Sequence, residues 1–298
     1  MDISKQAKQH KIASSFVFAL AVFYGPAVNA ESTLGIKFGA SYWTANIQNQ
    51  LQSDNFTDAD GDVIASRFSA HEIGIGDTSQ TSYFVEFRHN IPFLPRVRYE
   101  NAPLSEEGKT TLTRDLNFVD TIIPAATALD STIDLSYQDI SLYYSLAEGG
   151  LDLDIGVTQR EIEGEVALTF VPVDDGDGGD EGDGGDGGDT GEDTEGTTAN
   201  TSTVTGILED SPILVFTRLS FPLFESDWRF SYTFQYNNTE NEYYSDTESL
   251  LSYGTKDHGY DYSFDIGYKK AKFMADDMGG LASKIKVSGP FLRFTVGL

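Results

Sequence analysis

The chain has 298 residues, no cysteine and a formal net charge of −27, with 47 Asp and Glu against 20 Lys and Arg. A surface that acidic repels nucleic acid and anionic lipid heads, so no nucleic-acid partner is expected. The missing thiols exclude a disulfide framework and a lipid-attachment cysteine, and no cofactor motif is present.

Residues 1–30 read as a cleavable export signal. Lys5, Lys8 and Lys11 give a basic start, Ala13 to Tyr24 is apolar, and Val28-Asn29-Ala30 supplies the small residues that a signal peptidase inspects. The apolar run of about twelve residues is too short to span a bilayer as a helix, which takes about twenty. No other stretch reaches the length of a spanning helix, so an inner-membrane helical protein is excluded. Residues 31–298 are therefore expected to form one all-β unit.

Beyond the signal the chain alternates apolar with polar or small residues at period two, rich in aromatic and β-branched types. Leu34, Ile36, Phe38, Ala40 and Tyr42 alternate with Gly35, Lys37, Gly39 and Ser41; Trp228, Phe230, Tyr232, Phe234 and Tyr236 alternate with Arg229, Ser231, Thr233 and Gln235; Tyr260 to Tyr268 repeats the design. Strands are predicted near 33–46, 82–89, 96–104, 132–146, 151–162, 212–220, 228–238, 247–254, 258–270 and 286–298. The connectors alternate as well: 89–95, 147–150, 221–227 and 255–257 are short, whereas 47–81, 105–131 and 163–211 are long. Short turns on one side and long loops on the other are the signature of a closed antiparallel transmembrane β-barrel. Ten strands bring both ends of the barrel to the periplasmic side, and eight is the runner-up. The alternation alone would also suit a soluble sandwich; the density of Tyr, Phe and Trp on one face favours lipid contact.

Residues 171–205 are predicted to be a disordered extracellular loop. From Asp174 to Gly196 there are eleven acidic residues and no apolar one, so the segment has nothing to bury. Diffuse attraction of divalent cations is the expected partner chemistry there, without a metal site. Asp58-Ala59-Asp60-Gly61-Asp62 lacks the glutamate that closes a calcium loop, and the Gly-Gly-Asp repeats of 178–189 lack the apolar position of a stacking repeat.

Taken by alternation, the enclosed face carries Lys37, Glu86, Arg88, Arg96, Arg98, Glu100, Asp152, Asp154, Arg160, Arg218, Arg229, Asp261, Asp265, Lys269 and Arg293, nine basic residues and six acidic. Paired charges are tolerated in an enclosed space and isolated ones are not, so an Arg–carboxylate network plugging the lumen is expected. The alternative is a narrow conduit in which the basic surplus favours anions.

The last strand, Gly289-Pro290-Phe291-Leu292-Arg293-Phe294-Thr295-Val296-Gly297-Leu298, resembles the C-terminal assembly signal of bacterial outer-membrane barrels, with Phe294, Val296 and Leu298 at alternate positions and Leu298 where those proteins usually end in Phe. The resemblance implies an outer-membrane location in a Gram-negative bacterium, lipid contact and recognition by the barrel-insertion machinery. Thr33 to Trp43, Ile91-Pro92-Phe93-Leu94-Pro95, Asp139 to Tyr144 and Gly289 to Leu292 are similar to a small-barrel family of gammaproteobacteria without assigned activity, which implies the same fold and leaves function open.

Strand number and length also resemble the omptin surface proteases, which need an Asp pair and an Asp-x-His pair at the outer rim. Here Asp152-x-Asp154 and Asp257-His258 fall at inner turns, and His71, beside Glu72, has no such pattern. Barrel lipid-modifying enzymes use a His with a nearby Ser, for which Ser69-Ala70-His71 is the sole candidate. The expectation is a structural or surface-interaction protein without catalysis, with protease or lipid-modifying chemistry as the second alternative.

Overall fold

The computed structural model describes residues 34–53, 56–57, 63–64, 67–172 and 201–298, apart from 90, 92, 120, 148–149, 224–226, 258 and 279–280. The expected signal, the acidic run Asp174–Gly196, Asp58 to Asp62 and His258 lie outside the described residues.

Ten long strands form the barrel: β1 Leu34–Ser53, β2 Asp77–His89, β3 Arg96–Ala102, β4 Tyr137–Ala147, β5 Asp152–Phe170, β6 Ile213–Pro222, β7 Trp228–Asn238, β8 Glu242–Asp257, β9 Tyr260–Met278 and β10 Leu281–Gly297. Each pairs antiparallel with its sequence neighbour, and β10 returns to β1 with Lys37 opposite Gly297 and Ser53 opposite Leu281. Closure gives each of the ten strands a neighbour on both sides, the condition for a sheet to cross hydrocarbon. The architecture is thus the closed antiparallel ten-stranded barrel predicted from alternation.

The strands run further than predicted at one end. Residues assigned to long loops are ordered as sheet: β1 continues to Ser53 and β5 to Phe170, while Ser105–Thr111, Ala128–Asp134 and Ser202–Asp210 add strands beside them. Ala128–Asp134 pairs with one edge of upper β5 and Ser202–Asp210 with the other. Ser202 to Thr205 therefore belong to a strand, which corrects the far end of the predicted disordered segment. A short 3-10 turn, Ala70–Ile73, lies over these strands. Gly74, at φ 82°, lies against the Gly108–Lys109 backbone so closely that a Cβ at either glycine would meet main chain.

The reason for the extension is an inversion of amphipathicity partway along the strands. On β1 the outward side chains pass from Leu34, Ile36, Phe38 and Tyr42 to Thr44, Asn46, Gln48 and Gln50, while the inward ones pass from Lys37 and Ser41 to Trp43, Ala45, Ile47 and Leu51. β5 changes at the same level, from Ile155 and Val157 to Gln159, Glu161, Glu163 and Glu165 outward, and from Asp154 and Arg160 to Ile162, Val166 and Leu168 inward. β9 and β10 do likewise, at Tyr268/Lys270 and at Ser288/Pro290. The lower half is apolar outside and ionic inside; the upper half is polar outside and apolar inside.

Two aromatic rows bound the apolar exterior. Trp228, Tyr253 and Tyr260 mark the turn side, and Tyr42, Tyr83 and Tyr268 mark the other, all largely exposed. Eight residues separate Tyr260 from Tyr268, roughly 26 Å of strand, or about 20 Å along the normal at a tilt of about 40°. With the rings themselves this matches the apolar band of a transmembrane barrel. The lower exterior is apolar, as hydrocarbon contact requires, and the upper exterior is polar.

Candidate functional site

The enclosed face of the lower half is lined by ion pairs, most of them linked in one chain. Glu86 on β2 accepts from Arg218 at 2.9 Å and Arg98 at 3.4 Å, and also pairs with Arg88. Arg218 continues to Asp154 at 2.7 Å, and Arg98 to Glu100 at 2.9 Å. Lys269 from β9 reaches Glu100 at 3.2 Å and Asp246 at 3.8 Å, and donates to the Tyr137 hydroxyl at 2.6 Å. Arg160 holds Asp139 bidentately and donates to Asp246 at 3.1 Å and Gln235 at 3.0 Å. Arg293 grips Glu248 with both terminal nitrogens and donates to Ser41 at 2.8 Å. Planar guanidinium forks suit this role because each can satisfy two or three carboxylate or amide oxygens at once.

Small residues make room for it. At Gly39 a Cβ would overlap the Phe84 ring, so only glycine lets that ring lie flat in the lumen. There it stacks beneath Arg98 at 3.7 Å, with the Arg293 guanidinium 5.4 Å away. The Arg160 guanidinium likewise sits 3.9 Å over Tyr137.

Several of the residues assigned to the enclosed face by alternation lie together. Glu86, Arg88, Arg98, Glu100, Asp154, Arg160, Arg218, Lys269 and Arg293 join in the network just described. Arg229 and Asp152 pair at the more exposed turn end, and Arg96 donates to Ser145. Lys37 and Asp261 flank Gly297 in the β1–β10–β9 register, and Asp265 is buried with one oxygen lacking a hydrogen-bond partner. Alternation missed Asp139, Asp246 and Glu248, all inward and all partners of the basic groups. Asp246 lay just outside the predicted strand 247–254, and the adjacent Leu250-Leu251 obscured the phase that points Glu248 inward. Among the described side chains, these three bring the predicted set to nine acidic residues against nine basic ones, which removes the basic surplus counted from alternation.

Above the network lies an apolar core. Trp43, Ile47, Leu51, Phe68, Ile73, Phe118, Ile133, Ile162, Val166, Leu208, Phe273, Ile285 and Val287 form one buried cluster from both long and short strands. Tyr137 and Trp43 mark the boundary: the Tyr137 hydroxyl meets Lys269, and the Trp43 indole N–H donates to the Gly289 carbonyl at 3.1 Å. A cavity of about 30 Å³ remains among Arg98, Glu100, Asp139, Arg218, Gln235 and Asp246, room for a water or so.

The candidate catalytic residues have structural occupations. Ser69 caps the Ala70–Ile73 turn: its hydroxyl accepts from the Glu72 amide at 3.4 Å, and Glu72 reaches back to the Ser69 amide at 2.8 Å. Glu72 is also paired with Arg114 at 2.9 Å. Partial burial pushes its carboxyl up, but the Ser69 amide and the Arg114 guanidinium outweigh this and hold it below the usual range. Phe294, Val296 and Leu298 share the outward face of the last strand, and the Leu298 amide donates to the Ile36 carbonyl at 2.9 Å.

No protein-family description matches the sequence, and no curated protein matches it. Among solved structures, the outer membrane protease OmpT of Escherichia coli is similar over 88 % of this chain and 96 % of its own, at 8 % identity and a TM-score of 0.47. Ail, the attachment invasion locus protein of Yersinia pestis, is similar over 87 % and 99 % at 8 % identity and a TM-score of 0.28. The toluene transporter TodX of P. putida gives 90 % and 90 %, 8 % identity and 0.28. All three are outer-membrane barrels, one a protease and one a transporter; at these scores the likeness says nothing about activity.

Proposed function

We propose that this chain is an outer-membrane barrel that acts through its surface-exposed upper half, with a lumen sealed to ions and without catalysis. The inversion of polarity carries the reading: paired charges fill the membrane-embedded half, and an apolar core of Trp43, Ile162, Phe273 and Val287 lies above them. An ion crossing the barrel would have to break paired charges and then traverse apolar packing, both costly. The Ser69 cap supports the absence of catalysis, because its hydroxyl is committed to the Glu72 turn. In this reading Phe294, Val296 and Leu298 serve the insertion machinery from the outward face, and the acidic run from Asp174 attracts divalent cations diffusely. Conductance of the refolded protein in planar bilayers is the test: no steps above background are expected, and anion-selective steps would establish the pore instead.

A further inference from the structure

Four lysines stand together on the outer face of β9 and β10. Lys272 is directly opposite Lys286, Lys270 lies one outward position below, and Lys284 one above, opposite Met274. None has a carboxylate within ion-pair distance among the described residues; Lys286 alone has a side-chain partner, donating to Gln48 at 3.2 Å. Like charges directly opposite one another on a sheet are destabilising, and this chain has more than twice as many acidic as basic residues with which it could have relieved them. Outward carboxylates do occur at this level, as Glu161, Glu163 and Glu165 on β5, on the far side of the ring.

Their height is as specific as their charge. Immediately below are Tyr268 and Pro290, the top of the apolar exterior, with Ile266, Leu292 and Phe294 beneath. The lysines therefore sit where the headgroups of the outer leaflet begin. Immediately above, a groove of about 320 Å³ starts at Lys284 and runs past Gln50, Gln52, Asn241 and Tyr243, with Arg67, Glu240 and Glu242 also in its lining; its amides and its aromatic ring suit sugar hydroxyls. Apolar surface, then ammonium groups, then amides is the order of a lipid that carries acyl chains, phosphates and saccharide.

We infer that the outer face of β9 and β10 binds the phosphorylated glycolipid of the outer leaflet, with Lys270, Lys272, Lys284 and Lys286 on its phosphates. The inference rests on the membrane placement proposed above. The full mature chain in detergent is titrated, by native mass spectrometry, with diphosphorylated lipid A, with the same lipid enzymatically dephosphorylated, and with phosphatidylglycerol. Diphosphorylated lipid A is expected to bind at least about tenfold more tightly than either control, as several charge-assisted contacts would give. Changing the four lysines together to Gln abolishes that preference, and changing them to Arg keeps it. Equal binding of the three lipids by the wild-type chain overturns the inference even if the Gln variant does not fold. So does a folded Gln variant with unchanged lipid A binding, including one that has lost only self-association, which would mark a contact between copies. Heat-modifiable gel mobility is followed in parallel; if it persists while lipid preference is absent, this inference fails and the barrel reading stands.

Discussion

Arg160 and Asp139 face each other through two parallel hydrogen bonds, Nε to Oδ1 at 2.8 Å and Nη2 to Oδ2 at 2.7 Å, with both side chains sealed from solvent. They stand at the level where the lumen changes from ionic to apolar, one inward position below Ile162 and next to Tyr137. Removing the cation alone strands Asp139 in a space without water enough to solvate it and leaves Asp246 only the longer Lys269 contact at 3.8 Å. Arg160→Ala is expected to cost about 3–5 kcal/mol in urea unfolding from detergent or lipid, whereas Arg160→Met combined with Asp139→Leu recovers most of it, Asp246 retaining Lys269. A single variant as stable as wild type would show that the pair is not sealed.

The apolar cap and the membrane-embedded ladder are expected to fail separately. Phe273 is buried in the cap, edge-to-face with Tyr244 at 5.9 Å. Phe273→Ala should weaken the cap by about 3–5 kcal/mol, seen as faster proteolysis of the upper strands, while the folded barrel keeps its anomalous gel mobility. Loss of that mobility would mean that the two halves form one cooperative unit.

The Ala70–Ile73 turn should be sensitive to acid through Glu72. Its carboxyl is held below its ordinary range in the folded chain, so the stabilisation is present above the unfolded value near 4.5 and fades as pH falls through the folded one. Comparing amide exchange of Glu72→Gln with wild type at each pH cancels the intrinsic chemistry. The variant should exchange faster around Ser69 and Ile75 at neutral pH, and the difference should vanish in strong acid; a difference independent of pH would assign the effect to shape rather than charge.

Deleting residues 174–196 is expected to leave membrane insertion and heat-modifiability unchanged and to alter only surface binding or the response to divalent cations. Failure to assemble would give this acidic run a folding role that its composition does not suggest.

The lower half of the barrel was legible because its pattern is one-sided: Tyr260, Tyr262, Phe264, Ile266 and Tyr268 alternate with polar partners in a way that few other structures require. The upper half was hidden by the same template. In Gln159-Arg160-Glu161-Ile162-Glu163-Gly164-Glu165-Val166 the alternation continues without a break in phase, but its polarity is reversed, so a search for apolar-out strands ends there. The ionic network was readable wherever alternation was clear and incomplete where it was not. Asp246 lay beyond the predicted start of its strand, and Glu248 followed a blurred phase. The cap could not be foreseen from local pattern, because Phe68, Phe118, Ile162 and Phe273 come together only through long-range pairing.

A scan of solvent exposure along β1 and β5 tests the reversal itself. The chain lacks cysteine, so single nitroxide labels can be placed without background at Phe38, Tyr42, Asn46 and Gln48, and at Ile155, Val157, Glu161 and Glu163. In reconstituted bilayers, labels at the first two positions of each strand should be relaxed by oxygen and the last two by a water-soluble nickel complex, with the crossover above Tyr42 and above Val157. Uniform access to the nickel complex along both strands, or uniform access to oxygen, would contradict a barrel that is half in hydrocarbon and half in water.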